Sequence, residues 1–161
     1  MLSLFRTSGW SRSRFFHKPQ TGKIERRLRV QTPTLEQTLV MIKPDAFERG
    51  LVEMIRSEIQ VSGFTIIPVG QAIFTLDLVR EFYQFENIEW AETVHRYLCS
   101  RSIPLWLVEG QGVVVRMMEI KRYIRKNMLT GNPQNLLHCS SSEKRFHWEY
   151  SVLIRNGMIV P

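Results

Sequence analysis

The pattern in this 161-residue chain with the clearest chemical potential is a histidine followed by a carboxylate eleven positions later. His138 lies in Asn135-Leu136-Leu137-His138-Cys139-Ser140-Ser141-Ser142, at a short apolar-to-polar junction, and Glu149 follows downstream. An imidazole that is neutral at working pH can present one ring nitrogen to an electrophile while a carboxylate orients the other side of the ring. Nearly a hundred residues earlier an apolar run ends in Ile42-Lys43-Pro44-Asp45, which puts a compact cation at a strand-to-helix corner, suited to phosphate oxygens. Nucleophile and cation together suggest phosphoryl transfer. His17, His95 and His147 lack such a setting and read as structural or solvated. Cys139 beside His138 does not make a nucleophile pair, because adjacent strand residues point to opposite faces. With two cysteines and no CxxC pair, neither a zinc site nor a disulfide framework is indicated, and a reducing compartment is the natural reading.

The elements that must carry these residues follow from periodicity and punctuation. Leu35 to Ile42 reads as a strand closed by Lys43-Pro44, since a proline pushes the preceding residue to extended geometry. Asp45 is an N-cap or first-turn acid of a helix carrying Leu51, Met54, Ile55 and Ile59, stopped by Gly63. Phe64 to Phe74 is β-branched enough for a strand, with a bulge or edge position at Pro68-Val69-Gly70. Asp77 is expected to cap a helix through Phe85, a short helix runs from about Trp90 to Leu98, and Ile103 to Glu109 is a buried strand. Beyond Gly110-Gln111-Gly112 a helix is expected to bury Val114, Met117, Met118, Tyr123 and Ile124 and to turn Arg116, Lys121, Arg122, Arg125 and Lys126 outward. Thr130-Gly131-Asn132-Pro133 breaks it. Asn135 to Cys139 is a last strand and Ser142 to about Leu153 a last helix. This order predicts an α/β (α+β) fold, a ferredoxin-like βαββαβ sandwich with a four-stranded antiparallel sheet and helices largely on one face.

Composition fits one globular domain: 43% hydrophobic and 11% aromatic residues are enough for a core. No apolar stretch approaches the ~18 to 20 residues needed to cross a bilayer, so no membrane partner is expected. The net charge of +7 is local. Residues 1–31 hold eight basic side chains against Glu25 alone, and the remaining 14 basic and 14 acidic residues cancel. The expected domain, 34–161, is therefore neutral, with no basic stripe that would indicate a nucleic-acid partner. The leader, 1–33, is rich in Arg, Ser and large apolar residues and free of acid before Glu25, the composition of a transit peptide. Mitochondrial localisation is the expectation, with a basic arm on a cytoplasmic protein as the alternative.

The residues themselves resemble a known family. Thr38-Leu-Val-Met-Ile-Lys-Pro-Asp-Ala-Phe-Glu-Arg-Gly-Leu-Val52 is similar to the first strand and helix of nucleoside diphosphate kinases. Asn135 to Ser142 resembles their active-site histidine motif, with Glu149 at the matching distance. The resemblance covers about residues 35 to 154. It implies transfer of the γ-phosphate from a nucleoside triphosphate such as ATP to a nucleoside diphosphate, by a ping-pong reaction through a phosphohistidine at His138. It further implies Glu149 as the support of that histidine and Ser140 as the serine beside it. Lys43, Tyr83 and Arg125 would lie around the phosphates, Asn135 at the sugar, and Trp90 near the base. Mg²⁺ would arrive with the nucleotide, held by its phosphates rather than by a protein site, and family members assemble as homo-oligomers.

Departures from the pattern are equally specific. The family carries a long loop before the histidine strand, with a second phosphate-binding arginine; here only Gln134 separates Pro133 from Asn135, and two peptide steps span at most ~7 Å. Gly131 stands where the family has a phosphate-contacting threonine, Ser141 where it has an aspartate, and Ala91 where an aromatic ring stacks on the base. Three readings follow: a kinase weakened in turnover, a homologue that binds a nucleotide or protein with impaired catalysis, and a splice or gene-model form lacking one segment.

Overall fold

The computed structural model describes residues 34–159, and the leader, with the localisation expectation attached to it, lies outside them. Four strands, β1 (Glu36–Ile42), β2 (Thr65–Ala72), β3 (Ile103–Gly110) and β4 (Leu137–Cys139), form one antiparallel sheet in the order β2-β3-β1-β4. Between and after them run α1 (Pro44–Glu48), α2 (Val52–Val61), α3 (Leu76–Tyr83), α4 (Ile88–Leu98), α5 (Val113–Asn127) and α6 (Glu143–Arg155). This is the four-stranded antiparallel ferredoxin-like sandwich that the element order predicts.

The helices do not gather on one face. Leu39, Met41, Leu105 and Leu107 point into a core with Leu78, Val79 and Phe82 of α3, Ala91, Val94 and Leu98 of α4, and Phe146, Val152 and Leu153 of α6. The alternate residues Val40, Ile42, Trp106 and Val108 pack on Ile55 and Ile59 of α2 and Val113, Met117, Ile120 and Ile124 of α5. Leu39 to Ile42 are therefore all fully buried, which is why β1 reads as a continuous apolar run rather than an alternation.

Local differences have local causes. The expected single helix after Lys43 is two, because Gly50 takes φ +65° and ends α1. Asp45 is a first-turn acid, not the cap: Lys43 holds the N-cap position with Pro44 as the first helical residue. Thr75, rather than Asp77, caps α3 by accepting from the Leu78 N–H, and Asn87 caps α4 by accepting from the Trp90 N–H. The edge strand β2 shifts register between Pro68 and Gly70, as its proline and glycine suggest. Tyr123 is 60% exposed instead of buried. Among the described residues no helix is long and apolar enough to cross a membrane.

Candidate active site

Pairing in the sheet places the histidine. Met41 of β1 lies opposite His138 of β4, so the His138 side chain shares the face of α3, α4 and α6, while Leu137 and Cys139 turn to the other core. Cys139 thus points away from His138, and burial pushes its thiol pKa up, further from a thiolate. The imidazole lies between aromatic rings, edge-on to Phe82 at 5.4 Å and to Tyr83 at 5.6 Å between centroids. Its side chain is 15% exposed. The His138 pKa lies below the usual range because burial disfavours the charged ring more than Glu149 favours it.

Glu149 sits behind the ring. Its Oε1 lies 3.0 Å from His138 Nε2, an approach off the axis of the ring N–H and so a close electrostatic contact rather than an aligned hydrogen bond. The carboxylate is fully buried and is held by two donors: Ser140 Oγ donates to Oε2 at 2.6 Å, and Arg145 Nε donates to Oε1 at 2.7 Å. Burial alone would raise the Glu149 pKa; His138 and the hydrogen bonds from Ser140 and Arg145 hold it below the usual carboxylate range. Arg145 is fixed in turn, donating to Gln84 Oε1 and to the Phe82 carbonyl, both at 2.6 Å. The tethered carboxylate leaves His138 Nδ1 as the ring nitrogen not facing Glu149.

The approach to β4 is strained and pinned. Leu136, buried, takes φ +67°, a left-handed conformation that a leucine adopts only under outside restraint. The restraint is visible. Its N–H donates to both Asp45 carboxylate oxygens at 3.0 and 3.2 Å, its carbonyl accepts from the Lys43 N–H at 2.9 Å, and the Tyr97 hydroxyl donates to the same Asp45 carboxylate. Asn135 is thereby brought against two cations. Its Oδ1 accepts from Lys43 Nζ at 2.8 Å and from an Arg125 terminal nitrogen at 2.8 Å, and its Nδ2 donates to Asn132 Oδ1 at 2.9 Å. Arg125 also donates to the Asn135 carbonyl at 3.1 Å and the Leu137 carbonyl at 2.7 Å. Arg125 is therefore turned into the site, correcting the expected outward face of α5.

Lys43 is not the solvated lysine that a strand end usually carries. It is only 5% exposed, and burial, then repulsion from Arg125, brings its pKa down from 10.5 to about 7. Tyr83 has a buried hydroxyl without a hydrogen-bond partner, its pKa raised first by burial and then by Glu149. Such an orphaned hydroxyl is a donor for a bound group.

These residues line one cleft of about 290 Å³, together with Phe85, Trp90, Val94, Lys121, Asn132 and Pro133. Trp90, 37% exposed, and Phe85, stacked on Tyr83 at 5.1 Å, form its apolar end, whereas Ala91 is in the core. Ser140 and Glu149 lie behind the histidine rather than on the cleft wall. Sequence reasoning missed Arg145 and Lys121. Both had a signal in helical spacing, since Arg145 precedes Glu149 by four residues and Lys121 precedes Arg125 by four. No group of three or more His, Cys, Asp or Glu that could hold a metal ion occurs among the described residues. The arrangement offers an imidazole nucleophile, cations without carboxylates on the cleft wall, and an aromatic end: the elements of a nucleotide-phosphate site.

Known proteins resemble this chain in sequence and in fold. The family model described as nucleoside diphosphate kinase matches residues 36–159. A nucleoside diphosphate kinase of Methanocaldococcus jannaschii is 25% identical over 135 residues, covering 77% of this chain and 96% of that protein. One from Crocosphaera subtropica is 30% identical over 81 residues, where the match spans about half of each protein, 50% of this chain and 54% of the other. The solved Aquifex aeolicus nucleoside diphosphate kinase superposes with a TM-score of 0.63 at 25% identity, over 79% of this chain and all of that one. Sheet, histidine strand and family model converge on one conclusion: this chain belongs to the nucleoside diphosphate kinase family.

Proposed function

We propose that the protein transfers the γ-phosphate of a nucleoside triphosphate to a nucleoside diphosphate through a phosphohistidine at His138. The observation that carries this reading is the position of His138 itself: Nε2 is 3.0 Å from the tethered Glu149, and the ring lines the same cleft as Lys43 and Arg125. With Nε2–H toward the carboxylate, Nδ1 carries the lone pair. That lone pair attacks the γ-phosphorus, the bond from phosphorus to the β,γ-bridging oxygen breaks, and the nucleoside diphosphate leaves with the bond electrons. The ring gains positive charge as the nitrogen–phosphorus bond forms, and Glu149, kept ionised by Ser140 and Arg145, offsets it. In the return step a terminal oxygen of a second nucleoside diphosphate attacks the same phosphorus and the nitrogen–phosphorus bond breaks. Lys43, Arg125 and the orphaned Tyr83 hydroxyl supply donors to the phosphate oxygens, Asn135 contacts the sugar, and Trp90 with Phe85 receives the base. Mg²⁺ enters as part of the nucleotide substrate.

One observation favours a second reading, nucleotide binding with little turnover. Lys43 and Arg125 both donate to the Asn135 side-chain oxygen, so the two cations are already engaged by an amide, and the Pro133-Gln134-Asn135 connection is too short to fold a loop over a ligand. A single experiment separates the two. Incubation with γ-labelled ATP and Mg²⁺ gives acid-labile protein-bound phosphate under the kinase reading, absent in His138→Ala; a wild type that binds ADP yet takes up no label supports the second.

A further inference from the structure

Three cationic side chains line the cleft, Lys43, Lys121 and Arg125, and no carboxylate does. The connection from Met128 to Leu137 contains neither Lys nor Arg, so among the described residues the positive charge facing a ligand comes from the end of β1 and one face of α5. Two of these cations are already committed to protein acceptors. Lys43 donates to Asn135 Oδ1 at 2.8 Å and to the Pro133 carbonyl at 3.4 Å; Arg125 makes three hydrogen bonds to Asn135 and Leu137. Lys121 is different. Its Nζ meets only the Cys139 carbonyl, at the long distance of 3.5 Å, and the Met118 sulfur at 3.0 Å, and a thioether is a weak acceptor.

An ammonium carries three donors on a flexible stem. In this cleft Lys121 alone among the three cations makes no short hydrogen bond to an oxygen acceptor. It stands one helical turn before Arg125, on the same face, and its carbonyl contact is to Cys139, the residue after the histidine. Its charge acts on both His138 and Lys43, opposing protonation of each. By contrast its neighbours Arg122 and Lys126 are exposed and do not line the cleft.

We propose that Lys121 is a phosphate-binding residue that holds the terminal phosphoryl group during its passage between nucleotide and His138. This rests on the phosphotransfer reading above. The transferred group spreads negative charge over its three equatorial oxygens in the transition state, and a cation with free donors stabilises that charge while it moves. Lys121 forms no covalent bond and exchanges no proton. Its role is that of a mobile counter-charge beside the more rigidly held Lys43 and Arg125.

The test compares Lys121→Gln and Lys121→Arg with Arg122→Gln, which removes a charge from an exposed position on the same helix. Phosphoenzyme formation from γ-labelled ATP with Mg²⁺ is followed by rapid quench, and Mg-ADP affinity by calorimetry. Expected for Lys121→Gln is a labelling rate at saturating ATP reduced about a hundredfold, with ADP affinity reduced by about tenfold or less. Lys121→Arg recovers most of the rate, and Arg122→Gln stays within about twofold of wild type in both measurements. If Lys121→Gln matches Arg122→Gln in rate and affinity, the proposal is overturned. If wild type takes up no label, the kinase reading fails and ADP affinity decides: a loss of more than about twofold in Lys121→Gln, not seen in Arg122→Gln, keeps Lys121 as a phosphate ligand, and an affinity within about twofold of wild type removes it. Melting curves check folding, and Lys121→Met, with an apolar stem of similar length, replaces Lys121→Gln if that variant is unstable.

Discussion

Occupation of the cleft by a nucleotide and protonation of Lys43 are thermodynamically linked. In the free protein burial and Arg125 hold the Lys43 pKa at about 7. A di- or triphosphate supplies opposite charge beside the ammonium and moves that pKa back toward the ordinary 10.5. Below pH 7 Lys43 is already protonated and contributes no pH dependence to binding. Above pH 7 the free protein has released the proton and the ligand must draw it back, so affinity falls by up to about tenfold per pH unit until the bound-state pKa is reached. If the ligand restores about two units, Mg-ADP binds about 25-fold more weakly at pH 9 than at pH 7, with about 0.8 proton taken up at pH 8. Calorimetric titration in two buffers of different ionisation enthalpy measures both quantities. Folding is linked with the opposite sign of slope. A depressed amine pKa means that the unfolded chain binds more protons between about 7 and 10.5, so the unliganded protein gains stability as pH rises through that window. Lys43→Met abolishes both slopes. An ADP affinity constant from pH 7 to 9, or a pH dependence that persists in Lys43→Met, refutes Lys43 as the titrating cation.

Other variants probe the groups behind the histidine and the packing of the sheet edge. Arg145→Met leaves the buried Glu149 without its guanidinium partner and is expected to destabilise the fold by roughly 3–5 kcal/mol in urea denaturation. In Ser140→Ala the Glu149 Oε2 acceptor loses its buried donor, at a cost of about 1–3 kcal/mol. Glu149 has a depressed folded pKa and contributes stability above its unfolded value near 4.5 that is lost as pH falls through the folded one. Ser140→Ala should therefore show an acid transition beginning at higher pH than wild type; an identical acid transition argues against the hydrogen bond. Gly70→Ala places a methyl carbon 2.2 Å from the Met158 carbonyl oxygen, so the C-terminal segment must shift, with a loss of about 1–3 kcal/mol read from the melting temperature and no change in His138 labelling.

Much of this site was legible because its members lie in short, strongly patterned segments. The run ending at Lys43-Pro44 and the Asn135-to-Ser142 motif declared both ends of the cleft. What stayed hidden was direction. Periodicity puts both Lys121 and Arg125 on the outward face of a helix dense in basic residues, and only the family resemblance draws Arg125 to the phosphates, because polarity alone does not tell an outward face from one turned toward a polar cavity. The two-faced packing of the helices was hidden for a related reason: a fully buried strand such as Leu39 to Ile42 shows no alternation from which to count faces. A cap is ambiguous where two candidates lie close together. Thr75 and Asp77 both suit the start of α3, and only the Leu78 N–H contact decides between them.

The mooring of Leu136 has a consequence for chain length. Asp45 and the Lys43 backbone hold this residue from the first strand and helix, so the position of the histidine strand is set downstream of the connection rather than by it. Residues Leu129, Gly131, Asn132 and Gln134, just upstream, are exposed. The closing entropy of a flexible loop grows only slowly with its length. Residues inserted at Gln134 are accordingly expected to extend over the cleft while His138 and Glu149, placed by the sheet and by the anchoring of Leu136, keep their positions.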